Sequence, residues 1–109
     1  MKLVNAIVQD EDAGKVVAAL VAAGFRTTRF DSRGGFLRAR NSTILVGVED
    51  NRLDEALDVI RASCRTRKRL LSPLTHVGEA GEAFVPYPVE VEVGGATVFV
   101  TPVEHYEQF

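Results

Sequence analysis

The chain has 109 residues, a net charge of −2, 46% hydrophobic residues and 26% charged ones. That is globular composition, large enough to bury a core without disulfides or metals. Near-neutral charge excludes a general attraction to nucleic acid or membrane, and a single cysteine, Cys64, excludes an internal disulfide and a cysteine metal framework.

Residues 2–8 read as a buried strand, because Leu3, Val4, Ala6, Ile7 and Val8 make a short apolar run. Gln9, Asp10, Glu11 and Asp12 follow as a helix cap and the acidic first turn that a helix dipole favours. Val16, Val17, Leu20 and Val21 then recur at helical spacing, and Gly24 stands where a C-cap glycine belongs. Residues 25–32 predict a second strand, rich in Phe and Thr and carrying Arg26 and Arg29. Arg33-Gly34-Gly35 breaks it, so 36–41 is expected to be a loop or a distorted hairpin tip.

A third strand is expected over 43–48. Glu49, Asp50 and Asn51 then offer a cap to the clearest amphipathic helix of the chain, marked by Leu53, Ala56, Leu57, Ile60 and Cys64. Residues 65–71 predict a fourth strand, and 72–88, with three prolines, a long loop. Residues 89–93 and 96–100 alternate around Gly94-Gly95, the signal of a two-residue hairpin. A mixed aromatic and polar tail closes the chain. No apolar run approaches a membrane span and no secretory leader is seen, so the expected location is the cytoplasm.

This order predicts one α+β domain over 1–109, a ferredoxin-like split βαβ sandwich. Helices are expected on one face of the sheet. The other face carries Val, Ile and Phe, so burial by self-association is expected, with loops of neighbouring subunits around shared clefts.

Catalysis finds little support. Cys64 lies on an apolar stripe, the setting of a buried structural cysteine. His76 and His105 are far apart and lack metal-ligand spacing. Glu90 and Glu92 share one strand face that reads as solvent-exposed. No catalytic or metal-ligating residue is assigned, and no enzyme activity is expected.

Anion binding is better supported. Ten of the thirteen Lys and Arg fall in two stretches, Arg26, Arg29, Arg33, Arg38 and Arg40, then Arg61, Arg65, Arg67, Lys68 and Arg69. The second lacks the interleaved aromatics of an RNA-binding sheet and reads as a charged edge strand. In the first, paired glycines let backbone N–H groups approach a phosphate, and arginine offers two parallel donors. Phe36 suits stacking on a base, and Asn41 suits its polar edge. Arg26 and Thr28 extend this set to nucleotide size.

The segments AIVQD (6–10), GFRTTRF (24–30), GGFLRARNSTILVGVED (34–50) and PYPVEVEVGGATVFVTPVEHYEQF (86–109) resemble the PII-like cyclic di-AMP receptor family over essentially the whole chain. The resemblance implies a homotrimer of ferredoxin-like subunits with extended loops. It implies cyclic di-AMP in the clefts between subunits, loops that move on binding, and a downstream protein that reads the change. The implied ligand positions are Arg26, Thr28, Gly35, Phe36, Leu37, Asn41, Gly47, Phe99 and Gln108. In this scheme Arg26 and backbone N–H groups meet phosphate, Phe36 and Leu37 pack on adenine, and Gly47 leaves room for the purine. No cofactor is implied. Gly24 stands where the family often has Asn, Thr27 where it has a small residue, and Arg40 where it has glycine. Two alternatives stay open, a sensor of ATP or ADP and a trimeric interaction module without a small ligand.

Overall fold

The computed structural model describes residues 1–31, 40–71 and 89–109. Gly35, Phe36, Leu37 and His76 lie outside the described residues. The elements are β1 (Lys2–Gln9), α1 (Asp10–Ala22), β2 (Thr27–Asp31), β3 (Asn41–Val48), α2 (Leu53–Ser63), β4 (Arg67–Leu71), β5 (Val89–Val93) and β6 (Ala96–Pro102), with one 3-10 turn at Asp50–Arg52 before α2.

A four-stranded antiparallel sheet runs in the order β2-β3-β1-β6. Strand periodicity puts Val4, Ala6 and Val8 of β1 on one face with Ile44, Val46 and Val48 of β3. These six are buried against Ala13, Val16 and Leu20 of α1 and Ala56 and Ile60 of α2. Each fully buried Val, Leu or Ile side chain of this core stabilises the fold by about 2 kcal/mol. The mixed α+β architecture is therefore as expected.

Helix α1 ends in a complete Schellman motif. The Gly24 N–H donates to the Val21 carbonyl at 2.9 Å and the Phe25 N–H to the Leu20 carbonyl at 3.0 Å, with Gly24 at φ 89°. Phe25 and Leu20 are both buried, which supplies the apolar contact of the motif. The start of α1 differs from expectation. Gln9 occupies the cap position without a side-chain cap bond, and its Oε1 accepts the Gly94 N–H at 2.9 Å instead. The first-turn acids also reach outward. Buried Asp12 accepts two bonds from Arg67, at 2.9 and 3.2 Å, and Glu11 pairs with Arg69.

Those contacts belong to the main correction to the predicted topology. The strand at 67–71 does not join the four-stranded sheet, and 89–93 and 96–102 do not form a hairpin. β4 pairs with β5 in a separate two-stranded sheet, and β6 pairs with β1, with Val93 opposite Arg67 and Ala96 opposite Val8. The chain changes sheets at Gly94-Gly95, where both residues have positive φ. Their N–H groups go to Gln9 Oε1 at 2.9 Å and the Cys64 carbonyl at 2.5 Å, so neither serves a hairpin. Boundaries shift too. β2 begins at Thr27, leaving Arg26 just ahead of it, and Asn41 is the first residue of β3 and not a loop residue.

A Cβ on Gly94 would stand 2.6 Å from the Arg65 carbonyl oxygen, while one on Gly14 in α1 meets nothing within 4 Å. Gly94→Ala is expected to destabilise the protein by about 1–3 kcal/mol through clash and positive φ. Gly14→Ala is expected to stabilise it by about 0.5–1 kcal/mol. Urea titration of both variants checks the pair.

Candidate functional site

The face of the sheet away from the helices carries the complementary residues of each strand. Register aligns Phe99, Asn5, Leu45 and Thr28 in one row across β6, β1, β3 and β2. Leu3, Gly47 and Thr101 make the next row toward the start of β1. Asn41 lies on the same face at the opposite end of β3. Thr28, Asn41, Gly47 and Phe99, four of the sequence-predicted positions, thus share the uncovered face. That face is strongly apolar in places, with Phe30 54% and Phe99 56% exposed.

A groove of about 710 Å³ opens at one end of this face. Its lining includes Arg26, Thr28, Gly47 and Gln108, together with Leu3, Leu45, Phe25, Arg52 and Tyr106. The volume falls within the range of pockets that hold small organic ligands. Continuing the β2–β3 register one step beyond the Thr27–Val46 pair brings Arg26 toward Gly47. Gly47 presents open space, since a Cβ there would meet nothing within 4 Å. The Arg26 Nη1 donates to Gln108 Oε1 at 2.7 Å, and the Tyr106 hydroxyl donates to the same oxygen at 3.3 Å. The tail after β6 therefore places an amide and a phenol beside the groove's exposed guanidinium.

Two predicted positions are outside the groove lining. Phe99 borders it, diagonal to Leu3 on the neighbouring strand, while Asn41 is six residues along β3 from Gly47, roughly 20 Å away. Gly35, Phe36 and Leu37 lie outside the described residues.

Sequence reasoning missed Arg52 and Tyr106. Arg52 falls outside both arginine stretches, among acids, and its one local signal is Glu55 three residues on. Its Nε and Nη2 donate to the two Glu55 carboxylate oxygens at 3.0 Å each, and Nη2 also donates to the Ala23 carbonyl at 2.7 Å. The guanidinium carbon lies 4.1 Å from the centre of the Phe25 ring, a cation–π contact. Tyr106 gives no signal beyond being an aromatic residue in a polar tail.

Cys64 is buried, donates to the Ile60 carbonyl at 3.0 Å, and burial pushes its thiol pKa up, away from nucleophilic character. Glu90 and Glu92 are exposed, Glu90 in an ion pair with Lys68. Among the described residues no three His, Cys, Asp or Glu come together to hold a metal, and no helix is long and apolar enough to cross a membrane.

The family model for the cyclic-di-AMP receptor matches residues 1–109, the whole chain. The chain belongs to the cyclic-di-AMP receptor family. A solved structure, that of a functionally unknown protein from Pediococcus pentosaceus ATCC 25745, is 37% identical, with a TM-score of 0.77 over 99% of this chain and 96% of that one. The receptor-family match points to binding rather than catalysis, in keeping with a groove lined by guanidinium, amide and hydroxyl groups.

The hydrogen bonds from Arg52, helped by its charge, hold the Glu55 carboxyl below its ordinary value against the opposing effect of desolvation. A carboxylate depressed in the folded state stabilises above its unfolded pKa, and that contribution disappears as pH falls through the lowered value. The Arg52–Glu55 pair should therefore be intact at neutral pH and release only in acid. Carbon-detected NMR titration is expected to give Glu55 a midpoint below the usual value of about 4.3. A midpoint at or above that value would show that the pair does not form.

Proposed function

We propose that this protein is a receptor for the second messenger cyclic di-AMP, working as a cytoplasmic homotrimer of single-domain, ferredoxin-like, PII-like subunits. The observation that carries the reading is the meeting of Arg26, Thr28, Gly47 and Gln108 in one groove of a chain whose full length matches the receptor family. Arg26 contacts a phosphate, a hard anion suited to the planar guanidinium fork. Thr28 and Gln108 give polar contacts, and the open space at Gly47 accepts the purine. Gly35, Phe36 and Leu37 act from the glycine loop.

The separation of Asn41 from the groove supports a site completed by a neighbouring copy. A ligand of nucleotide size held at Arg26 and Gly47 of one chain leaves Asn41 of that chain roughly 20 Å along β3, so another subunit supplies it. The uncovered sheet face, with Ile7, Phe30 and Phe99 exposed, gives such a neighbour a reason to bind. In this reading residues 34–41 and 72–87 relay occupancy to a downstream protein. Hydrogen exchange of both segments is expected to slow when ligand is added.

Calorimetry against cyclic di-AMP, cyclic di-GMP, ATP and ADP tests the assignment. Heat with cyclic di-AMP is expected. Gly47→Val is expected to weaken that binding by about tenfold or more through lost space, while β-branching leaves stability unchanged or slightly higher. Heat with ATP or ADP alone would reassign the protein to adenine-nucleotide sensing. No heat with any of the four would leave the interaction-module reading.

A further inference from the structure

The groove's phosphate-facing arginine stands one residue beyond the Schellman turn, outside both the helix and the strand that flank it. Arg26 follows the Schellman turn at Gly24-Phe25 and precedes β2, so no strand pairing fixes its backbone. The last turn of α1 holds no basic residue to meet its partial negative charge. The Schellman bonds satisfy the Leu20 and Val21 carbonyls and leave the Ala23 carbonyl to find a donor elsewhere.

Arg52 supplies that donor from 29 residues away. One guanidinium makes three attachments, to the Ala23 carbonyl, to the face of Phe25 and to both oxygens of Glu55. The two bonds to Glu55 fix the plane of the group. The stack and the carbonyl bond then pin residues 23 and 25, immediately ahead of Arg26.

We propose that Arg52, oriented by Glu55, is the positioning residue of the groove, a clamp on the α1–β2 turn that sets where the Arg26 guanidinium stands. It rests on the receptor reading for its ligand, though not for the clamp itself. Arg52 acts through Arg26, and the phosphate contact is made by Arg26. Lysine cannot replace it, because a point charge on a flexible stem lacks the planar fork that binds carboxylate and carbonyl together while stacking on a ring.

A double-mutant cycle combined with hydrogen exchange tests the proposal. Cyclic di-AMP affinity is measured for the native protein, Arg52→Lys, Arg26→Ala and the double variant. Arg52→Lys is expected to weaken binding about tenfold when Arg26 is present and less than about twofold when it is absent, the non-additivity of residues that act as a unit. Equal losses in both backgrounds would overturn the proposal by making Arg52 an independent ligand contact. Unchanged affinity with a lowered melting temperature would overturn it by making Arg52 a helix cap only. The second readout needs no ligand. Amide exchange at residues 25–28 is expected to rise about tenfold in Arg52→Lys, and less in Glu55→Gln, while the second half of α2, residues 58–63, is unaffected. If the native protein binds no cyclic di-AMP, the receptor reading fails, and the exchange measurement alone decides the clamp. Unchanged exchange at 25–28 would refute it.

Discussion

The pairing of β1 with β3 determines which side chains meet the helices and which meet the groove. Every residue of β1 has a partner on β3, from Lys2–Val48 to Gln9–Asn41. Because the side-chain period of a strand is two, a slip of one residue would turn Val4, Ala6 and Val8 outward and bring Leu3, Asn5 and Ile7 under the helices. Burial of Val4, Ala6, Val8, Ile44, Val46 and Val48 holds the register against that slip. The positions of Gly47 and Leu45 in the groove follow from it, as does the alignment of Thr28 with Leu45 on the neighbouring strand.

The groove is then bounded by segments whose placement comes from backbone geometry at chain reversals. The Schellman turn aims the chain out of α1 toward Arg26. Gly94-Gly95 carries the chain from the two-stranded sheet into β6, which pairs with β1 and delivers the tail bearing Tyr106 and Gln108 to the groove. Ion pairs from Glu11 and Asp12 to Arg69 and Arg67 dock the two-stranded sheet beside the start of α1. Asp12 is buried, so removing Arg67 would leave a carboxylate without its compensating charge.

Local features were legible in the sequence wherever one short segment contained the whole signal. The apolar run of β1, the stripe of α2 and the C-cap at Gly24 are such cases. The partners of the last three strands were not legible. The alternation of Val89–Val93 and Ala96–Pro102 is the same whether these strands pair with each other or with β4 and β1. The deciding contacts, Gln9 with Gly94 and Asp12 with Arg67, join residues 85 and 55 positions apart. The site divides similarly. Arg26, Thr28, Gly47 and Gln108 were indicated by family resemblance; the β2–β3 register brings Thr28 and Gly47 together, and a side-chain hydrogen bond joins Gln108 of the tail to Arg26. Arg52 escaped notice because its role depends on a carbonyl and a ring contributed by another helix end.

The proposed recognition of cyclic di-AMP depends most on a phosphate meeting Arg26 at the mouth of the uncovered sheet face. A crystal structure of the protein grown with cyclic di-AMP tests it directly. The expected result is a phosphate oxygen within hydrogen-bonding distance of the Arg26 guanidinium and a purine over Gly47, with a neighbouring subunit closing the site. A nucleotide bound elsewhere, with the Arg26–Gln108 bond undisturbed and the groove empty, would contradict it.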